Sequence, residues 1–429
     1  MRPLKLGSAG IRGIVGTGIA PDTAIDFAAA FGTFTSGGRV IVAMDTRISS
    51  PMLRHAVLSA LSGCGCEVID AGIMPAPVLH FMTPLLNAAG ALLIGGGHQA
   101  AGWNAIIPFN ASGAYLNSIQ LRELLDIYHS RRYLSCSWDN VHPVHPAPED
   151  IVEKYLDGLG KILDVELIAS RKFTVICDFC NGSGSVLAER FAEKFGIKMI
   201  PINNILSGIM PHDPEPRPRS GFQVQSIMLP LKADAGFVFN SDMSRMAVVS
   251  NQGETLSEEI TFPLAADYLL SKKSNRCKVV TNICTTRSLD DIVKRHKCVL
   301  EKIRVGQASI IDRMKETGAR LGGEGCGGFA LADWVNGFDS FLAMGTILES
   351  MAASKCSLTE LASRLPRYHI VKKTINCPSA HAYTLIRSLR DHFKDAKVTE
   401  GKLRSELAQH SDSNEGFHVD EDIEDTIEC

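Results

Sequence analysis

Short apolar runs separated by stretches of helical length recur along this chain, and that alternation constrains its fold more than any other feature. Arg39–Met44 is one such run. A helix from Asp22, expected to cap it, through Phe31 comes before, and a helix from Pro51 to Ala60 follows the polar triplet Asp45-Thr46-Arg47. Glu67–Asp70 and Gly90–Ile94 are the next strands. The pattern returns with Lys172–Cys177, a helix from about Ser185, and Ala235–Phe239, then again with Cys277–Thr281. A strand covered on both faces reads as a continuous apolar run. Such strands separated by helices pack as α/β layers.

Breaks in composition divide the chain. The Pro-rich stretch 142–148 reads as a linker. The units expected are 1–148, 149–250, 251–357, a short segment 358–410 and a tail 411–429. The last twelve residues carry six acidic side chains and no basic one, as a solvated tail does. At 429 residues, 45% hydrophobic and 21% charged, the chain is an ordinary globular one. A net charge of -3 speaks against nucleic-acid or membrane-surface binding. No apolar run approaches the roughly 18 residues of a membrane span. The N-terminus lacks an apolar signal core, so a cytoplasmic location is expected. The 12 cysteines are then expected to be free thiols. Cys177 and Cys180 read as structural rather than as half of a zinc site.

Five short motifs, in order, carry a resemblance to the α-D-phosphohexomutases. They are Gly7–Gly13, Asp45–Pro51, the loop Gly95–Asn104, Pro214–Pro216, and Gly323–Gly328 followed by Gly337–Asp339. The resemblance implies three consecutive α/β domains with mixed sheets, plus a short, truncated C-terminal α+β domain. It implies a reaction in which a phosphoserine exchanges its phosphoryl group with a hexose or hexosamine phosphate, assisted by Mg²⁺. The site residues carried over are Arg12, Arg47, His98 and Gly97 on the catalytic side. Arg245, Glu324, Gly325 and Cys326 fall on the sugar side, and Asn240, Asp242 and Ser244 in the metal loop.

The chain departs from the family pattern where the chemistry lies. Gly97 stands in place of the phosphoserine, and Ile107 in place of a lysine. Asn240-x-Asp242-x-Ser244 keeps one carboxylate of three, which is little for a hard cation that seeks anionic oxygen. No phosphate clamp follows Leu358. The expectation is a pseudoenzyme without a cofactor, retaining a cleft for a sugar phosphate or a protein partner. An isomerase with altered chemistry and a structural partner of an intact mutase are the alternatives. Gly95–Gly97 also suits an anion cradle, though no Walker lysine follows. His98 is a phosphoryl acceptor only if it abandons the orienting role the resemblance gives it. Asp242 and Arg245 are expected to form a local ion pair. Arg12 and Arg47 are either ligand contacts or partners of carboxylates such as Asp45.

Overall fold

The computed structural model describes residues 4–7, 10–272 and 277–368, and beyond them only a few helical residues and short strand segments. The first sheet holds β1 (Lys5–Gly7), β2 (Gly10–Ile14), β3 (Val40–Met44), β4 (Val68–Ile73), β5 (Gly90–Ile94), β6 (Trp103–Asn110) and β7 (His145–Pro146). Their order is β1-β2-β6-β5-β3-β4-β7. The second sheet contains β8 (Thr174–Asp178), β9 (Lys198–Ile202), β10 (Ala235–Phe239) and β11 (Met246–Val249), ordered β11-β10-β8-β9. The third contains β12 (Lys278–Asn282), β13 (Val299–Ile303), β14 (Leu321–Glu324) and β15 (Gly328–Leu331), ordered β13-β12-β14-β15.

One connectivity recurs in all three sheets. In β3–β6, β8–β11 and β12–β15 the first strand lies between the second and third, parallel to both, and the fourth runs antiparallel beside the third. Parallel neighbours need a crossover, and helices such as Ser50–Gly63, Ala188–Lys194 and Ser288–Arg295 supply it. The antiparallel fourth strand needs only a hairpin. The loops after β5, β10 and β14 therefore occupy the same place in each repeat, at the carboxyl ends of the parallel strands. Open α/β sheets bind ligands at that end.

A single apolar cluster runs through all three sheets, from Ile41 and Leu93 through Val175 and Phe237 to Val279 and Leu321. The helix Ser340–Ser354 is buried from Ser340 to Ala352. A helix apolar all round belongs in an interior, and here Tyr155, Phe191 and Phe239 pack on its Phe341. The outer face of the first sheet has its own cluster, in which Phe27 and Phe31 meet Val42 and Leu92.

Some local expectations are corrected. Asp22 lies in the first turn of the helix Pro21–Phe34, whose N-cap is Ala20. Proline opens that helix because the first turn has no use for its missing N–H. The helix expected near Ser185 begins as a 3₁₀ turn, Ser183–Leu187, before Ala188–Lys194. The Pro-rich stretch is exposed, yet β7 within it pairs with the edge of β4. The helix Leu358–Ser363, with a Ser357–Glu360 capping box, opens the fourth segment. Most of the rest of that segment and of the acidic tail lies outside the described residues. Among the described residues no helix is long and apolar enough to cross a membrane.

Candidate active site

The loop after β5 is shaped by two side chains beneath it. Asp45 is fully buried; it accepts from the amide of Arg47 at 3.0 Å, the hydroxyl of Ser50 at 2.7 Å and the amide of Gly96 at 3.1 Å. Arg47 Nε pairs with Asp45 at 3.0 Å, the pairing that its sequence position left open. Its other nitrogens donate to the carbonyls of Ala100 at 2.8 Å, Gln99 at 2.6 Å and Gly97 at 3.3 Å. Arg47 thus holds the loop from below. The glycines follow from this packing: a Cβ on Gly95 would meet Asp45 Cγ at 2.8 Å, and one on Gly96 would meet Arg47 Nε at 2.5 Å.

Gly97 lies in the left-handed region, with φ +51°, and faces the loop after β10. The Ser241 hydroxyl donates to its carbonyl at 2.8 Å. In that second loop the Arg245 amide donates to Asn240 Oδ1 at 3.1 Å, which fixes the amide's orientation, since a backbone N–H can only donate. Asn240 Nδ2 consequently points at Asp242 Oδ1 (2.8 Å) and the Ser244 hydroxyl (3.0 Å). Ser244 gives Asp242 Oδ1 two more hydrogen bonds, from its amide at 3.0 Å and its hydroxyl at 2.6 Å. These hydrogen bonds run within the loop and leave Asp242 Oδ2 facing Gly97. Among the described residues no three His, Cys, Asp or Glu side chains cluster as metal ligands.

Arg245 does not form the expected ion pair with Asp242. It reaches Glu215 at 2.9 Å and Glu324 at 3.4 Å, tying the second sheet's loops to the third. Asn282 Nδ2 donates to Glu324 Oε2 at 3.0 Å, and the Cys326 thiol donates to Oε1 at 2.7 Å. The Gly325 amide donates to Thr285 Oγ1 at 3.1 Å. His98 Nε2 stands 3.9 Å from Glu215 Oε2. Burial lowers the His98 pKa and Arg245 lowers it further, against Glu215. Burial would raise Glu215, but Arg245, His98 and Arg217 outweigh it and hold the carboxylate below its ordinary range. Arg12, on β2, acts on His98 as a nearby positive charge. All three repeats therefore contribute to one charged cluster: His98 from the first, Glu215 and Arg245 from the second, and Glu324 from the third.

Residues 3–134, 153–253 and 257–368 match, in that order, the phosphoglucomutase/phosphomannomutase α/β/α domains I, II and III. The chain belongs to the α-D-phosphohexomutase superfamily. A probable phosphoglucosamine mutase of Pyrococcus abyssi is 31% identical over 373 residues, which is 87% of this chain and 81% of that protein. A phosphoglucomutase/phosphomannomutase family protein of Burkholderia thailandensis shares the fold with a TM-score of 0.81 at 22% identity, over 99% of this chain and 93% of that one. The N-acetylphosphoglucosamine mutase of Aspergillus fumigatus, in complex with GlcNAc-6P and magnesium, shares it at 0.54 and 11% identity over 95% and 94%.

Against that phosphohexomutase frame, sequence reasoning missed Glu215, Asn282 and Thr285. Glu215 is the middle residue of the Pro214–Pro216 motif, and that motif was the signal for it. Asn282 ends β12 as Asp45 follows β3 and Asp178 ends β8, so the repeat itself was the available signal. Glu259 carried no sequence signal at all. It is buried, takes the Thr286 amide at 2.9 Å and leaves no room for a side chain at Gly325.

Proposed function

We propose that this phosphohexomutase-family protein binds a hexose or hexosamine phosphate in the cleft between its hairpin loops without interconverting it. The observation that carries this reading is Gly97. The loop that presents the phosphoryl-carrying serine in the family here presents a bare Cα toward Asp242, so no side chain is available to receive phosphate. Phosphoryl transfer depends on positioning and charge neutralisation, and the metal loop supports the same conclusion. Asn240 Oδ1, Asp242 Oδ1 and the Ser244 hydroxyl are bonded within the loop, and one carboxylate with two neutral neighbours suits Mg²⁺ poorly.

The sugar side supports binding. Arg245, Glu215 and Glu324 form a cluster with little exposure to solvent. Desolvation offsets much of the gain from such a cluster, so it is a poor device for stability alone. A ligand phosphate or hydroxyl competing for Arg245 and Glu324 gives it a purpose. We place the protein in the cytoplasm, with such phosphates.

A thermal-shift series with hexose and hexosamine monophosphates and bisphosphates, each with and without Mg²⁺, tests the reading. A monophosphate at about 100 times its dissociation constant should add roughly 2.7 kcal/mol of stability, independent of Mg²⁺, while no isomer accumulates. Turnover above a Glu324→Ala control would overturn it.

A second reading, a protein-binding subunit, is favoured by one surface. Ile48, Ile205 and Ile209 are 75%, 70% and 64% exposed. Their loops meet where Gly208 packs against Thr46 and Ile48. Silence toward every phosphate, together with self-association abolished by Ile209→Ser, would favour this second reading over the first.

A further inference from the structure

The proposed cleft makes no use of two thiols at the opposite end of the third sheet. Cys277 and Cys298 stand immediately before β12 and β13, whose parallel register pairs Lys278 with Val299. The Val299 amide donates to the Cys277 carbonyl at 2.9 Å, and the two sulfurs lie 2.8 Å apart. Both residues are partly exposed, so a small oxidant has access. Arg320 lies close enough to Cys277 to oppose the effect of burial on that thiol.

We propose that Cys277 and Cys298 are a peroxide-responsive dithiol that closes to a disulfide tying β12 to β13. Burial, and then the hydrogen bond with Cys298, push the Cys277 thiol up to about 11 against the pull of Arg320. The two sulfurs face each other, so either serves as the attacking thiolate and the other as the resolving thiol. The attacking thiolate takes one peroxide oxygen and breaks the O–O bond. This gives a sulfenic acid, and the departing hydroxide takes a proton to become water. The second thiol then attacks the sulfur of the sulfenic acid. The S–S bond forms, the S–O bond breaks, and the hydroxyl leaves as water with the second thiol's proton. Two thiols lose two electrons, and one peroxide becomes two waters.

The cross-link joins residues 21 apart in sequence. The chain between them carries Asn282, Thr285 and Thr286, whose hydrogen bonds hold Glu324, Gly325 and Glu259. Closing a loop of this size restricts the unfolded chain, so oxidation stiffens the support of the cleft from its far end.

The test is a hydrogen peroxide titration of the reduced full-length protein, read by non-reducing peptide mapping and by melting. The expected result is a Cys277–Cys298 cross-linked peptide and a rise in Tm on the order of 5 °C, both reversed by dithiothreitol. With either cysteine replaced by serine, dimedone should trap a sulfenic acid on the one that remains. Oxidation of other thiols with no Cys277–Cys298 peptide would overturn the proposal. So would the absence of trapping in both serine variants. Mapping the wild type keeps the test valid if a serine variant fails to fold.

Discussion

A Cβ on Gly97 would stand 2.9 Å from Asp242 Oδ2, and Gly97 itself has φ +51°. The loop after β5 and the loop after β10 are therefore packed to the dimensions of a glycine.

Gly97→Ser combines a left-handed backbone with a crowded Cβ. The left-handed conformation alone costs an L-residue about 1–2 kcal/mol. The variant should lose roughly that much stability in urea melts and should show no mutase activity. Efficient turnover from this single change would contradict the proposed loss of the metal site.

The wild type should show no tight stoichiometric Mg²⁺ site by calorimetry. Asn240→Asp with Ser244→Asp removes the amide N–H and the hydroxyl, and sets three carboxylates in one loop. Like charges so close repel, so the double variant should melt below the wild type and recover selectively with Mg²⁺. Adding Gly97→Ser should preserve that metal response while the mutase rate stays near background. A double variant indifferent to Mg²⁺ would show that the loop's backbone, not its side chains, excludes the ion.

Arg245→Met leaves Glu215 and Glu324 facing each other with little solvent. Breaking a buried pair from one side costs on the order of 3 kcal/mol. Adding Glu215→Gln should recover part of the loss. A double-mutant cycle measures that coupling, and a coupling near zero would show that the two residues do not support each other.

His98 and His212 should titrate in opposite directions. Burial and Arg245 hold His98 below its ordinary 6.5. At His212 burial acts the same way, but the Asp178 carboxylate, 3.1 Å away, outweighs it and raises the pKa. The stability that His212 contributes is full below pH 6.5 and is lost as pH rises through its folded value. His98 favours folding above 6.5, and that contribution is lost as pH falls toward its folded value. Imidazole NMR titrations, assigned with His98→Asn and His212→Asn, check the order of the two; the reverse order would contradict the assigned partners.

Apolar runs such as Gly90–Ile94 and Ala235–Phe239 were legible residue for residue, because a strand covered on both faces has little choice but to be apolar. The motif order marked three α/β units. The partners of the charged residues were not legible. Nothing local in the sequence tells Arg245 to ignore Asp242, three residues earlier in the same loop, and to reach Glu215 and Glu324 instead. Nor does it say that Arg47 serves the carbonyls of Gly97, Gln99 and Ala100. Periodicity and glycine placement are properties of short segments, so the sequence by itself determined the apolar strands and the α/β alternation. Hydrogen bonds and ion pairs depend on where distant segments end up. The threefold connectivity sets the loops after β5, β10 and β14 at corresponding ends of their sheets, and only that tertiary arrangement decided which charges meet.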